Sequence, residues 1–460
     1  MINTKRIRKP RDFSPDARSK RFERFICALF TLYMCALYVV NEIAGYVAIA
    51  EALLIVFMVF AFMYIVNGRK LVIGPGIVFI AAFAAFCYLS AIWAFNAQAA
   101  LAKAKTVTLI LIACIFINSF FAVSGRIDSF VKAMLAAGLV LTVFLLIYYG
   151  PVAFIRRTIG GERLGEEIAN QNSIGMYAAY TVVICFYYAI LKNKKAFYFV
   201  SLLPMLAVAG SGSRKALLIC VLGFLFMFLF KPRKGDDIRG ILKLLIGLCA
   251  AALVLSLLMS LSIFGTVSSR MSSLLKIFTD SDSVDNSTYL RMLMIKGGWQ
   301  YFLLHPFTGI GIGNSQYVAA SIVGRETYLH NNFVELLAST GIFGFLIYYM
   351  PYAYVTGAFI KRLKKHEPLC ILALCLVTLS VFMDVAEVSY YSKFSYITLI
   401  FAFLALRDAK LKEKAASDAS TAASEAEASA SAGKDCAAEN LGDAETASKS
   451  RFDPQTFFVT

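Results

Sequence analysis

Charge is scarce in this sequence. Asp, Glu, Lys and Arg make up only 16% of its 460 residues, against about 25% in an average soluble domain. With 59% of residues apolar, this excludes an ordinary cytosolic enzyme and a disordered chain. Metal-type spacing is missing as well. No HxxxH or HExxH pattern occurs, and Asp280, Asp282 and Asp285 lack the rest of a calcium loop. Neither a metal nor a cofactor is expected. The ten cysteines form no metal-type pairs. Nine lie in apolar runs and Cys436 in a polar stretch, so they read as small core hydrophobes and exclude a disulfide scaffold. No small-residue cleavage site follows the basic start at Lys5, Arg6, Arg8, Lys9 and Arg11, so a cleavable signal peptide is not expected.

What is present is a series of apolar runs, each long enough to cross a bilayer as a helix. Backbone polar groups must be satisfied inside the hydrocarbon, so the fold class is all-α and polytopic. Twelve spans are expected: 22–41, 44–66, 71–94, 106–123, 130–150, 172–191, 196–212, 215–230, 241–264, 340–360, 369–386 and 391–407. Around them lie a basic N-terminus (1–21), a large helical loop between spans nine and ten (265–339) and a polar tail (408–460). The tail is rich in Ala, Ser, Glu and Asp and is expected to be disordered.

The formal net charge of +16 fits this layout without nucleic acid. If the N-terminus is cytoplasmic and the spans alternate, 32 of the 45 Lys and Arg fall on the inner side with their flanks. Blocks such as Lys192–Lys195, Lys231–Lys234 and Lys361–Lys365 all land there. Cytoplasmic loops carry this excess, so both termini are expected inside and loops 151–171 and 265–339 outside. Segment 287–304 reads as an amphipathic interfacial helix stopped by His305-Pro306. Asn332-Phe-Val-Glu335 has capping-box spacing. The Gly309-Ile-Gly311-Ile-Gly313 run reads as a turn, since no dinucleotide-binding context surrounds it.

Cations on the outer side run against the orientation rule, and each has two readings. Arg214-Lys215 follows Gly210-Ser-Gly-Ser213 at a helix junction. It is either a pair snorkelling to the headgroups or an anion site that uses the planar guanidinium fork. Arg163, in the run to Asn172, could pair with Glu166 or Glu167 or face a ligand. Arg291 could lie on a solvated helix face or in the same site. His330, in His330-Asn-Asn-Phe-Val-Glu335, could be structural. As a neutral imidazole it could also take a proton from a hydroxyl. Asp384, Glu387 and Glu51 near span ends could face a polar cavity.

Taken together, Gly-Ser-Gly-Ser-Arg214, Arg291 with Trp299, His305-Pro306 and the glycine run, His330-Asn-Asn with Glu335, and Thr340-Gly-Ile-Phe-Gly344 resemble the O-antigen ligase and O-antigen polymerase superfamily. The Arg163–Asn172 run resembles that family's shorter outer loop. The resemblance implies a GT-C-like membrane glycosyltransferase acting on the outer face of the cytoplasmic membrane. It implies a glycan donor on undecaprenyl diphosphate, a glycan or lipid-anchored acceptor, and polysaccharide-assembly proteins as possible partners. Arg214 and Arg291 would hold the diphosphate with His330 as the base. Arg163, Lys215 and Asn172 would complete substrate binding. Chain polymerase is modestly preferred to ligase. A flippase or permease is the contrasting expectation, and it would place its polar groups near the bilayer midplane.

Overall fold

The computed structural model describes residues 17–231 (except 42, 44, 45, 68 and 169), 253, 256–258, 260–268 and 286–449. Every regular element among the described residues is a helix. Among the described residues, seven helices are long and apolar enough to cross a membrane, and Ala196–Ser211 and Pro368–Met383 are shorter apolar ones. The chain is a multi-pass membrane protein. Most of the expected span 241–264, the acidic cluster Asp280, Asp282 and Asp285, Cys249 and the basic start lie outside the described residues.

The first half runs through α1 (Ala17–Val39), α2 (Val47–Val66), α3 (Pro75–Leu89), α4 (Ala97–Ser124) and α5 (Ile127–Tyr149). Local chemistry sets these ends. Pro75 occupies the first turn of α3, where its missing N–H costs nothing. The Asn96 side chain caps α4 by accepting from the Ala99 N–H, and left-handed Gly125 closes it. α1 packs on α2 and α5 through a cluster of rings from Phe30, Phe57, Phe121 and Phe130.

The connections alternate in direction. At one end of the bundle Glu23, only 6% exposed, gathers the Tyr64 hydroxyl at 2.6 Å, Arg69 at 3.4 Å and Arg126 at 2.8 Å. These residues come from the start of α1, the end of α2 and the start of α5. At the other ends of α1 and α2, Lys393 meets Asn41 and Glu51.

A short α6 (Pro151–Ile159) leads to α7 (Gln171–Phe186), α8 (Ala196–Val200), α9 (Leu202–Ser211) and α10 (Arg214–Leu229). α7 is the hub, packing on α5, α9 and α10. Small residues permit the crossings. A Cβ on Gly138 would stand 1.7 Å from the Thr181 hydroxyl, and one on Gly223 would stand 2.3 Å from Val183.

The rest comprises α11 (Asn286–Leu304), α12 (Ser315–Val323), α13 (Asn332–Arg362), α14 (Pro368–Met383) and α15 (Lys393–Lys449). α11 stops before His305-Pro306, as expected. It is not one-sided: Met294 is buried while Met292, Leu303 and Leu304 are exposed. Gly297 and Gly298 lay it against Ile322, Leu329 and Val334. α13 is broken at Gly341 (φ 61°, ψ −167°). The turn after α11 docks there, with the Ile342 N–H donating to the Pro306 carbonyl at 2.8 Å and the Ile310 N–H to the Ala338 carbonyl at 3.0 Å.

The chain divides into two compact units, Met1–Leu406 and Arg407–Thr460. In the second, helix continues to Lys449, where disorder is expected from composition.

Candidate functional site

The Gly210–Ser213 junction is built for close approach. α9 ends in left-handed Gly212 (φ 59°), and α10 begins at Arg214. A Cβ on Gly212 would meet the Arg163 side chain at 2.8 Å, and one on Gly175 of α7 would meet Ser211 at 2.4 Å. Into this tight corner the loop after α6 folds back, its Leu164 N–H donating to the Gly210 carbonyl at 2.7 Å. Arg163 then donates through Nε to the Ser211 carbonyl at 3.0 Å and through Nη2 to Asn172 Oδ1 at 3.2 Å. Of the nearby glutamates, Glu162 and Glu167 pair with Arg157 at 2.6 and 3.6 Å, and Glu166 accepts from the Gln171 amide at 3.3 Å. Arg163 and Asn172 are thus joined, and both border the turn that carries Arg214.

Lys215 is held by the 384–390 segment. Its ammonium donates to the Ala386 carbonyl and stands 4.0 Å from Glu387. A seam lined by Ser173, Tyr177, Asp384 and Glu387 runs beside it, with about 30 Å³ of open space, room for a single water rather than a substrate.

His330 stands just ahead of α13 in the left-handed region (φ 59°), a conformation that histidine tolerates better than most side chains. Its neighbours hold it there. Asn331, not Asn332, caps the helix, its Oδ1 accepting from the Val334 N–H at 3.0 Å. Asn332 is buried as a staple. Its Oδ1 accepts from the N–H groups of Ser389 and Tyr390 at 3.0 and 3.2 Å, and its Nδ2 donates to Asp384 at 3.2 Å. The Tyr349 hydroxyl donates to the same carboxylate at 2.8 Å. Glu335, 2% exposed, does not return to the cap as a capping box would. It accepts from the Ser315 hydroxyl and from the Leu329 N–H at 2.9 Å, so it pins the loop before His330.

His330 has its pKa lowered to about 4 by burial and then by the charges of Arg291, Lys215 and Arg325. Arg291 also acts on Lys215. Residues distant in sequence therefore share one electrostatic neighbourhood: Arg291 from α11, Lys215 from α10 and His330 from the loop before α13. Among the described residues no carboxylate lies within ion-pair distance of Arg291. An imidazole that is neutral at pH 7 and stands beside cations can accept a proton, and the cations can receive an anion. Among the described residues, no three His, Cys, Asp or Glu side chains cluster to hold a metal.

Arg325 and Lys103 carry no signal in the sequence, whereas Asp384 and Glu387, expected there to face a polar cavity, line the small seam. Arg325 is an ordinary loop cation by sequence and gains its place only through its charge at His330. The glycine run is structural. Gly309, Gly311 and Gly313 all have positive φ, and a Cβ on Gly309 would stand 2.4 Å from the Ser339 backbone.

Residues 199–349 match a family model described as O-Antigen ligase, which supports the resemblance to the O-antigen ligase and polymerase superfamily. The match includes Arg214, Lys215, Arg291 and His330 and ends short of Asp384; Arg163 and Asn172 precede it. The comparison with curated proteins gave no match.

Proposed function

We propose, from the O-antigen ligase domain at residues 199–349, that this membrane protein transfers a glycan from a lipid diphosphate to an acceptor hydroxyl. The observation that carries the reading is the family match over the segment that holds Arg214, Lys215, Arg291 and His330, with the charges of Arg291, Lys215 and Arg325 acting on the His330 imidazole. Such a site has a proton acceptor beside a landing place for an anion. The donor is a glycan on undecaprenyl diphosphate, as the family resemblance implies. The site faces the outside of the cytoplasmic membrane, with both termini within.

The step follows from these roles. The acceptor oxygen attacks the anomeric carbon opposite the diphosphate, the C–O bond to the diphosphate breaks, and its electron pair leaves with the phosphate oxygen. The anomeric centre inverts. The acceptor proton passes to His330. Arg214 and Arg291 meet the negative charge that grows on the leaving group, with Arg163 and Asn172 fixing the rim. Fixed guanidinium groups can supply the charge a divalent ion would otherwise provide.

Binding would also set the base. Burial, and then the cations Arg291, Lys215 and Arg325, lower the His330 pKa to about 4; a diphosphate settling among them offsets the cations' part, so the imidazole grows more basic as the donor arrives. Polymerisation onto a second lipid-linked glycan is the preferred form, because the outer segments carry no evident module for a protein acceptor.

The test is reconstitution of the purified protein in vesicles with a lipid-diphosphate glycan, with products resolved by size. Wild type should transfer glycan and release the lipid diphosphate. Arg291→Ala should slow this by about 10²–10³-fold, the scale of losing one transition-state charge contact. Transfer by Arg291→Ala at the wild-type rate would end the proposal.

A further inference from the structure

Beside the Tyr328–His330 ring contact lies a cavity of about 140 Å³ lined in part by Lys103, Gln316, Thr327, Tyr328, Glu335 and Tyr391. Its walls are fixed before any ligand arrives. α4 is fastened to the glycine run, with the Asn96 N–H donating to Asn314 Oδ1 at 2.7 Å and Asn96 Nδ2 to the Tyr317 hydroxyl at 2.8 Å. This seats Lys103 against Gly313, where a Cβ would stand 2.6 Å from the lysine stem. Glu335 pins the opposite wall through Ser315 and Leu329.

The lining has the chemistry of a carbohydrate site. Lys103 Nζ sits 3.9 Å from the centre of the Tyr391 ring. Among the described residues it makes no hydrogen bond, so a half-buried ammonium retains donors for a ligand oxygen. The Gln316 amide and Thr327 hydroxyl add polar groups, and Tyr328 and Tyr391 add aromatic faces for the C–H side of a sugar ring. The Tyr328 ring lies 4.2 Å from the His330 ring, centre to centre.

The lining separates this cavity from the diphosphate side. Arg291, Lys215 and Arg325 are the charges acting on His330, and none of them lines the cavity, where Lys103 shares the wall with the buried Glu335. One cation among hydroxyl, amide and phenol groups suits a polar, oxygen-rich ligand better than a diphosphate.

We infer that the cavity framed by Lys103, Gln316, Thr327, Tyr328, Glu335 and Tyr391 is a subsite for one sugar of the acceptor glycan, held beside His330. The inference rests on the transfer reading and adds the residues that would choose the acceptor. Lys103 and Gln316 supply donors to the ring oxygens, and Tyr391 supplies the face.

The experiment uses full-length protein in detergent, with the oligosaccharide freed by mild acid from the source cells' own lipid-linked glycan as probe. Binding is measured by calorimetry, and transfer kinetics with varied acceptor are measured in vesicles. Lys103→Met should weaken oligosaccharide binding and raise the acceptor KM at least about tenfold, with kcat and the donor KM little changed. Gln316→Met tests the other wall should the lysine variant fail to fold. If wild type transfers glycan while both variants keep wild-type acceptor KM and affinity, the subsite is overturned and the transfer reading stands. If wild type binds the oligosaccharide in a Lys103-dependent way but transfers nothing, the cavity stands as a glycan site and the transfer reading falls. If wild type neither binds nor transfers, both fall.

Discussion

At the scale of single residues, His330 bears the most weight. Its left-handed backbone makes alanine a poor probe, because strain and loss of the imidazole would be mixed; asparagine tolerates that conformation. His330→Asn should therefore keep the wild-type melting temperature in detergent while losing about 10²–10⁴-fold in transfer rate, the usual contribution of a positioned base. The pH profile gives an independent check. A base must be unprotonated, so activity falls as pH drops through its pKa. For free enzyme that pKa is about 4, and kcat/KM for the donor should hold down to that region. With the diphosphate bound the pKa rises, so the acid limb of kcat should appear at higher pH. Coincident limbs would contradict the donor-linked base. From sequence, Arg163, Arg214, Lys215, Arg291 and His330 are picked out as candidates because the expected orientation puts these cations outside, against the charge rule; the variants of Arg291 and His330 test such roles. Arg325 and Lys103 carried no such mark, since a residue's partner across the bundle leaves no local pattern. Asn332 and Glu335 had the spacing of a cap, yet tertiary contacts claimed both of them.

At the scale of elements, two devices are open to test. Gly341 breaks α13, and a Cβ there would stand 2.3 Å from the Phe307 carbonyl carbon and oxygen. These are backbone atoms that cannot swing away, and the φ of 61° is itself unfavourable for alanine. Gly341→Ala should sharply lower the yield of folded protein, whereas Gly357→Ala, in the same helix with nothing within 4 Å, should be neutral or slightly stabilising. Equal behaviour of the two in detergent melts would remove the docking role. The second device is Glu23. Glu23→Gln would leave Arg69 and Arg126 half-buried without their carboxylate, at a cost of up to about 3 kcal/mol. A clear drop in unfolding temperature is expected, and an unchanged one would show that the cluster contributes nothing. Apolar runs place the helices in sequence, while Pro75, Asn96 and Gly125 set their ends in the structure. The Gly341 break leaves no mark in the sequence, because a glycine inside an apolar run reads alike whether the helix continues or bends.

At the scale of the whole molecule, alternating helices and basic blocks made a polytopic α protein legible from composition and periodicity alone. The activity belongs to this scale too. With lipid-diphosphate glycan as sole substrate, a ladder of products is expected, and one transferred block onto a separate acceptor would select the ligase form instead. EDTA should leave the yield unchanged, and inhibition reversed by magnesium would defeat the guanidinium-only mechanism. The segment that follows the Arg291 helix is tied, main chain to main chain, to the helix that follows His330, through Pro306 with Ile342 and Ile310 with Ala338. Cation and imidazole therefore ride on a single chassis, and their spacing cannot drift independently of it. A wedge driven between those two strands of backbone would disarm the chemistry without touching either reactive group.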